Sequence, residues 1–225
     1  GDLAWMMAMV VSWLAFAMSI ALLAQVMATG DISYHVGNWA PPWGIEYRID
    51  AVNAFVLLIV SGIGAVVLPY AKKSVEREIK PSRRAHFYTA YLLCLAGLLG
   101  VTATGDAFNV FVFLEISSLS TYTLVALGAD ADRRALPAAY NYLVMGTVGA
   151  TFFVIGLGLM YMVTGTLNMA DLAARLPELG ANRTVDAAFA FIVVGLGLKL
   201  AMFPMHVWLP NAYTYAPSAV TVFLA

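Results

Sequence analysis

Six stretches of this chain, 3–28, 51–71, 86–104, 106–127, 136–163 and 185–210, are predominantly apolar over a length that can cross a membrane. The first carries no charge over 26 positions, about 39 Å as a helix at 1.5 Å per residue. Backbone surrounded by hydrocarbon must satisfy its N–H and C=O groups internally, so segments of this kind can only be helices. The chain is therefore expected to be all-α: a polytopic transmembrane helix bundle, one domain over 1–225, with a seventh span starting near Ala216. Composition agrees, with 62% of residues hydrophobic and 11% charged. A formal net charge of −1, without a basic stripe interleaved with aromatics, speaks against a nucleic-acid partner. The single Cys94 excludes an internal disulfide and any multi-cysteine metal site, and no cofactor motif is present. The last apolar run, reaching Ala225, is too short to cross, and the chain is read as a piece of a longer polypeptide.

The connections orient the bundle. Residues 29–50 carry Pro41, Pro42 and Gly44 with Trp39 and Trp43, a composition that suits an irregular loop at headgroup level. The stretch 72–84 holds six basic residues. Loops after the second and fourth spans carry eight Lys and Arg, against three after the first and fifth, so the positive-inside rule puts 72–84 in the cytoplasm of an inner (plasma) membrane protein. Only Gly105 separates the third and fourth spans, which makes them antiparallel neighbours. Met169, Leu172, Ala173 and Leu176 follow helical spacing after a capping Asn168, which predicts a short surface helix.

Two ionisable residues stand deep in apolar runs: Glu115 in the fourth span and Lys199 in the sixth. A charge near the centre of a membrane helix costs about 2.5–3.5 kcal/mol on insertion scales, so it marks a functional site and needs a partner. By alternation both spans run the same way. Glu115 lies about 13 Å along its helix from Asp106 and Lys199 about 16 Å from Pro210, so the two reach similar depth. Pro204 lacks an N–H and clashes with the carbonyl four residues earlier, which breaks the helix just beyond Lys199. His206 is a candidate proton relay, although histidines near a membrane end are often only interfacial. Ser118 and Tyr122 share the Glu115 face at i+3 and i+7, which suits a hydrated lining or a tie between helices. The bland reading of Glu115 and Lys199 is a structural ion pair, but buried pairs rarely outperform apolar packing.

The strings GDAFNVFVFLEISSLSTYTLVALG (105–128), GTLNMADLAARL (165–176) and KLAMFPMHVWLPNAYTYAPSAV (199–220) resemble the proton-conducting antiporter family. It comprises Mrp-type multisubunit cation/proton antiporter subunits, with the D-type Mrp subunits the nearest branch, and antiporter-like subunits of respiratory complex I and membrane-bound hydrogenases. The resemblance implies two inverted five-helix repeats, each with a broken helix, of which this chain holds the first incompletely and lacks the second. It also implies a glutamate–lysine pair, at the positions of Glu115 and Lys199. Asn211 stands where relatives often have aspartate.

The implied function is a proton-translocating membrane subunit of a monovalent cation/proton antiporter, not itself an enzyme. Its partners would be other membrane subunits, the lipid bilayer, protons and a monovalent cation. The alternatives are the proton-pumping arm of a redox enzyme and a purely structural membrane subunit. The topology has a direct check. In a Cys94→Ala background, the variants Ser82→Cys and Asn182→Cys should react with a membrane-impermeant thiol reagent from opposite sides, and labelling from one side would break the span count.

Overall fold

The computed structural model describes all residues, Gly1 to Ala225. In chain order the elements are α1 (Asp2–Thr29), β1 (Ile32–His35), β2 (Glu46–Ile49), α2 (Ala51–Glu78), α3 (Arg84–Ala103), α4 (Ala107–Ala126), α5 (Ala135–Thr164), α6 (Met169–Arg175), α7 (Arg183–Lys199), α8 (Trp208–Tyr215) and α9 (Ser218–Leu224). Five continuous helices, beginning at Asp2, Ala51, Pro81, Ala107 and Ala135, are long and apolar enough to cross a membrane. The stretch expected as a sixth span, 185–210, is in two helical pieces, α7 and α8, separated by irregular backbone.

The core lies where α2, α3 and α4 meet α9. Tyr91 and Phe87 of α3 are fully buried there with Leu68 and Leu124, and the Tyr91 hydroxyl donates to Gly64 O at 2.7 Å. α3 and α4 approach closely because Gly97 has no side chain: a Cβ there would lie 2.6 Å from Ser117 N. At the other end of α2 the carboxylate of Glu78 accepts from Ser218 N at 2.8 Å, and Ser74 Oγ accepts from Ala219 N at 3.2 Å. Two of the unpaired donors at the start of α9 are thereby satisfied and α9 is fastened to α2.

Two connections differ from their sequence reading. α2 continues as helix to Glu78, so Lys72, Lys73 and Arg77 of the basic 72–84 stretch sit on helical turns and only Ile79–Arg83 connects to α3. No proline or glycine interrupts 70–78, and Arg84 donates back to Glu76 O and Ile79 O, which closes the turn. The 29–50 connection is not wholly irregular. β1 and β2 form an antiparallel hairpin with Ile32 opposite Ile49 and His35 opposite Glu46.

An isolated two-stranded hairpin is marginal in water, so this one needs an anchor. Glu46 supplies it. Buried to 7% exposure, its carboxylate accepts from Ser33 Oγ at 2.5 Å and from Asn168 Nδ2 at 2.7 Å, while its backbone carbonyl accepts from Gly105 N at 2.8 Å. Asn168 also caps α6, its Oδ1 accepting from Asp171 N. One residue, through its carboxylate and its backbone carbonyl, thus gathers the hairpin, the α3–α4 turn and the start of α6.

Burial alone would raise the Glu46 carboxyl. Hydrogen bonds from Ser33 and Asn168, with Arg48 and His35 nearby, outweigh burial and hold it below its ordinary value of 4.5. A folded-state value below the unfolded one stabilises at higher pH, and the stabilisation is lost as pH falls through the folded value. Glu46→Gln should therefore cost about 1–3 kcal/mol at neutral pH and should flatten the loss of stability on acidification below about pH 4.5. Thermal unfolding in detergent across pH checks both; an unchanged acid limb would remove Glu46 as its source.

Candidate functional site at the broken helix

α7 stops at Lys199 for a backbone reason that lies upstream of Pro204. Ala201 is left-handed, with φ of 50°, and from there Ala201 N returns to Leu198 O and Met202 N to Gly197 O at 2.9 Å. This is the 5→2 and 6→1 bonding of a Schellman cap, with alanine at the position that usually takes glycine. A left-handed alanine costs roughly 1–2 kcal/mol, strain of the kind that collects at functional sites. Pro204 then prevents the chain from resuming helix at once, and Leu200–Val207 remains irregular. At 17 residues α7 is about 25 Å long, short of a hydrocarbon core of about 30 Å.

Lys199 is the last residue of that helix. Its Nζ donates to Glu115 Oε1 at 2.8 Å and to Ser118 Oγ at 2.7 Å, with side-chain exposures of 12% for the lysine and 25% for the glutamate. Two of the three ammonium hydrogens are thereby matched. Glu115 is near the middle of α4, and the serine one turn later completes the pair's surroundings. The pair is oriented by α5, which packs between α4 and α7. Gly149 of α5 and Gly195 of α7 meet backbone to backbone, and a Cβ on Gly195 would lie 2.7 Å from both Gly149 O and Phe153 N.

The irregular segment is fastened back to α7 by α8. Trp208 Nε1 donates to Leu198 O at 3.0 Å, a carbonyl in the last turn of α7, and its indole stacks on Tyr142 with centroids 4.0 Å apart. Tyr142 in turn meets Tyr122 edge-on at 4.6 Å. Neither Trp208 nor Tyr142 stands out in the sequence. Pro204 and the turn at Ala201 upset the helical phase, so no spacing rule joins residue 208 to residue 198 or 142.

Of the residues that the sequence points to, the structure brings together Lys199, Glu115 and Ser118. Pro204 lies in the irregular segment. His206 lies there too: its Nδ1 is buried without a hydrogen-bond partner and its ring sits beside Phe203, with no bond to Lys199. No group of three or more His, Cys, Asp or Glu side chains is arranged to hold a metal ion.

Five membrane-length helices, with an interrupted one packed on α5 and ending in a lysine paired with a glutamate of α4, define a polytopic membrane protein of the broken-helix kind. Residues 104–225, more than half of the chain, match the family described as "NADH:quinone oxidoreductase/Mrp antiporter, TM", and the chain belongs to that family. It is 47% identical over 204 residues to the N-type subunit of NADH-quinone oxidoreductase from Desulforudis audaxviator, covering 90% of this chain and 40% of the relative. It is 33% identical over 202 residues to the D-type subunit of the Na(+)/H(+) antiporter from Alkalihalophilus pseudofirmus, again covering 90% and 40%. In the solved Mrp complex of a Dietzia species, one chain superposes with a TM-score of 0.88 at 28% identity, over 99% of this chain and 41% of that one. The chain thus spans about 40% of the length of the relatives it matches.

The α5–α7 contact generates a test of the site's geometry. Gly195→Ala places a methyl against backbone that cannot yield, which should cost about 1–3 kcal/mol and shift the end of α7 away from α4. Thermal unfolding reads the cost; a variant as stable as the parent would show that the helices are free to separate.

Proposed function

We propose that this chain forms the proton-carrying part of a membrane subunit that exchanges a monovalent cation for protons. Lys199 is the carrier in this reading and Glu115 is the group that controls how firmly the proton is held. The observation that supports it is the 2.8 Å contact of Lys199 with Glu115 at the end of an apolar helix. Burying such a pair adds little stability over apolar packing, so stability alone does not account for it.

The control is electrostatic. Attraction to the carboxylate favours the charged lysine, and separating the pair from about 4 to about 8 Å at an effective dielectric near 20 weakens it by roughly 2 kcal/mol. A shift of the α7 end therefore changes whether the proton stays or leaves. The irregular backbone after Lys199, with Pro204 in it, is the hinge of that shift, and His206 is a candidate next acceptor on the same segment. We take α7, the irregular segment and α8 together as a sixth crossing, in an inner membrane with the 72–84 stretch facing the cytoplasm. Other membrane subunits complete the path.

A second reading is favoured by the 47% identity to a relative named as a quinone oxidoreductase subunit. There the same residues would carry protons, driven by electron transfer in another subunit. The test uses the complete complex in everted vesicles, following the collapse of a proton gradient on adding sodium or potassium. Lys199→Ala should abolish the response, and Glu115→Gln should leave it partial. Lys199→Arg should also abolish it, because guanidinium keeps the charge yet effectively never deprotonates. Full exchange by Lys199→Arg would return the pair to a structural role. Proton uptake driven by NADH, without any response to either cation, would favour the second reading.

A further inference from the structure

Six side chains of α4 carry hydroxyls: Ser117, Ser118, Ser120, Thr121, Tyr122 and Thr123. Four of them, Ser117, Ser120, Thr121 and Thr123, donate to the helix carbonyl three or four residues earlier, the ordinary resting place of such a group in an apolar helix. Ser118 and Tyr122 do not. Ser118 accepts from Lys199 Nζ, and its own proton goes to no helix carbonyl. Tyr122 is 6% exposed; its buried hydroxyl closes no well-formed hydrogen bond, and the polar side chain it faces is Ser118.

The two stand at i and i+4, one above the other on the face that carries Glu115. The space for the phenol oxygen is made by α5: a Cβ on Gly146 would overlap the Tyr122 hydroxyl. Tyr142 closes the side of the ring at 4.6 Å. A buried hydroxyl left unpaired costs stability that a phenylalanine of the same shape would not, so packing does not explain the oxygen.

We infer that Ser118 and Tyr122 form a proton relay leading from Lys199 along α4 toward the end of the bundle that bears Arg133 and Arg134, the spare Ser118 proton passing to the phenol oxygen it faces. It rests on the reading of Lys199 as carrier. The ammonium loses a proton to Ser118 Oγ as Ser118 releases its own hydroxyl proton to the Tyr122 oxygen. The phenol gives up its own proton in turn to water beyond it. Each O–H bond broken is matched by one formed. Lysine ends neutral, every relay oxygen ends as it began, and the proton leaves to solvent.

The experiment measures Tyr122→Phe and Lys199→Ala side by side in the complete complex in vesicles, with proton flux expressed per assembled complex. Flux is read after a sodium or potassium pulse and with NADH. The relay predicts that Tyr122→Phe lowers maximal proton flux at least about tenfold, on the scale of losing a positioned proton-transfer group. The driving concentration for half-maximal flux should stay unchanged and the thermal stability should be equal or higher. Should Tyr122→Phe assemble poorly, Ser118→Ala breaks the same relay one turn earlier, and the same loss of flux is expected. Wild-type flux in Tyr122→Phe, with Lys199→Ala inactive, would overturn the relay and leave the carrier standing. Wild-type flux in Lys199→Ala would overturn both.

Discussion

A lysine at the end of an apolar helix is the constraint to which the other features of the bundle answer. Its ammonium needs oxygen, and α4 brings Glu115 Oε1 and Ser118 Oγ to 2.8 and 2.7 Å. The carbonyls behind it need donors as well. Leu198 O takes Ala201 N and the Trp208 indole, and Gly197 O takes Met202 N. Freed backbone groups in a broken apolar helix need partners other than lipid, and these carbonyls find them in the protein. The break and the charge are thus one arrangement: ending α7 at Lys199 frees both the side chain and the backbone that must be satisfied around it.

Small residues let that arrangement close. Gly149 and Gly195 bring α5 and α7 to backbone contact, and Gly97 does the same for α3 and α4. Between helices in lipid there is no hydrophobic drive, so close approach and a few hydrogen bonds set the geometry. α4 ends up clasped between α3 and α5. A membrane-spanning helix held from two sides is a rigid support for Glu115, whereas the exposed Met202, Phe203 and Val207 leave the segment beyond Lys199 far less supported. Glu115 thus stands on a well-packed helix, whereas the chain that follows Lys199 is the less supported part.

At the membrane face where α4 begins, the work is done by polar side chains. Glu46 and Asn168 are 122 positions apart in sequence yet 2.7 Å apart in space, and through them the hairpin, the α3–α4 turn and α6 are hydrogen-bonded to one another. At the opposite end Glu78 and Ser74 hold the start of α9 against α2. The bundle is therefore tied at both ends by carboxylates that accept from neighbouring elements, while its middle is mostly apolar packing with a few hydrogen bonds between helices, such as Tyr91 to Gly64 O and Ser61 to Ser19, and the lysine pair.

The sequence by itself determined what one-dimensional chemistry can carry. Apolar runs long enough to cross, the capping Asn168, and the isolation of Glu115 and Lys199 in hydrocarbon were all legible, because each follows from the length or polarity of a local stretch. Even the meeting of Lys199 with Glu115 was within reach, since alternating spans make the two helices parallel and bring both charges to similar depth. Tertiary structure decided the rest. The helix stops at Lys199 because Ala201 turns left-handed, a conformation that no local propensity favours in alanine and that only the surrounding partners hold in place. The hairpin, the Glu46–Asn168 tie and the Trp208–Tyr142 stack join positions that no periodicity relates. The physical reason is the same for all three: their energy comes from partners far along the chain, which exist only once the helices have packed.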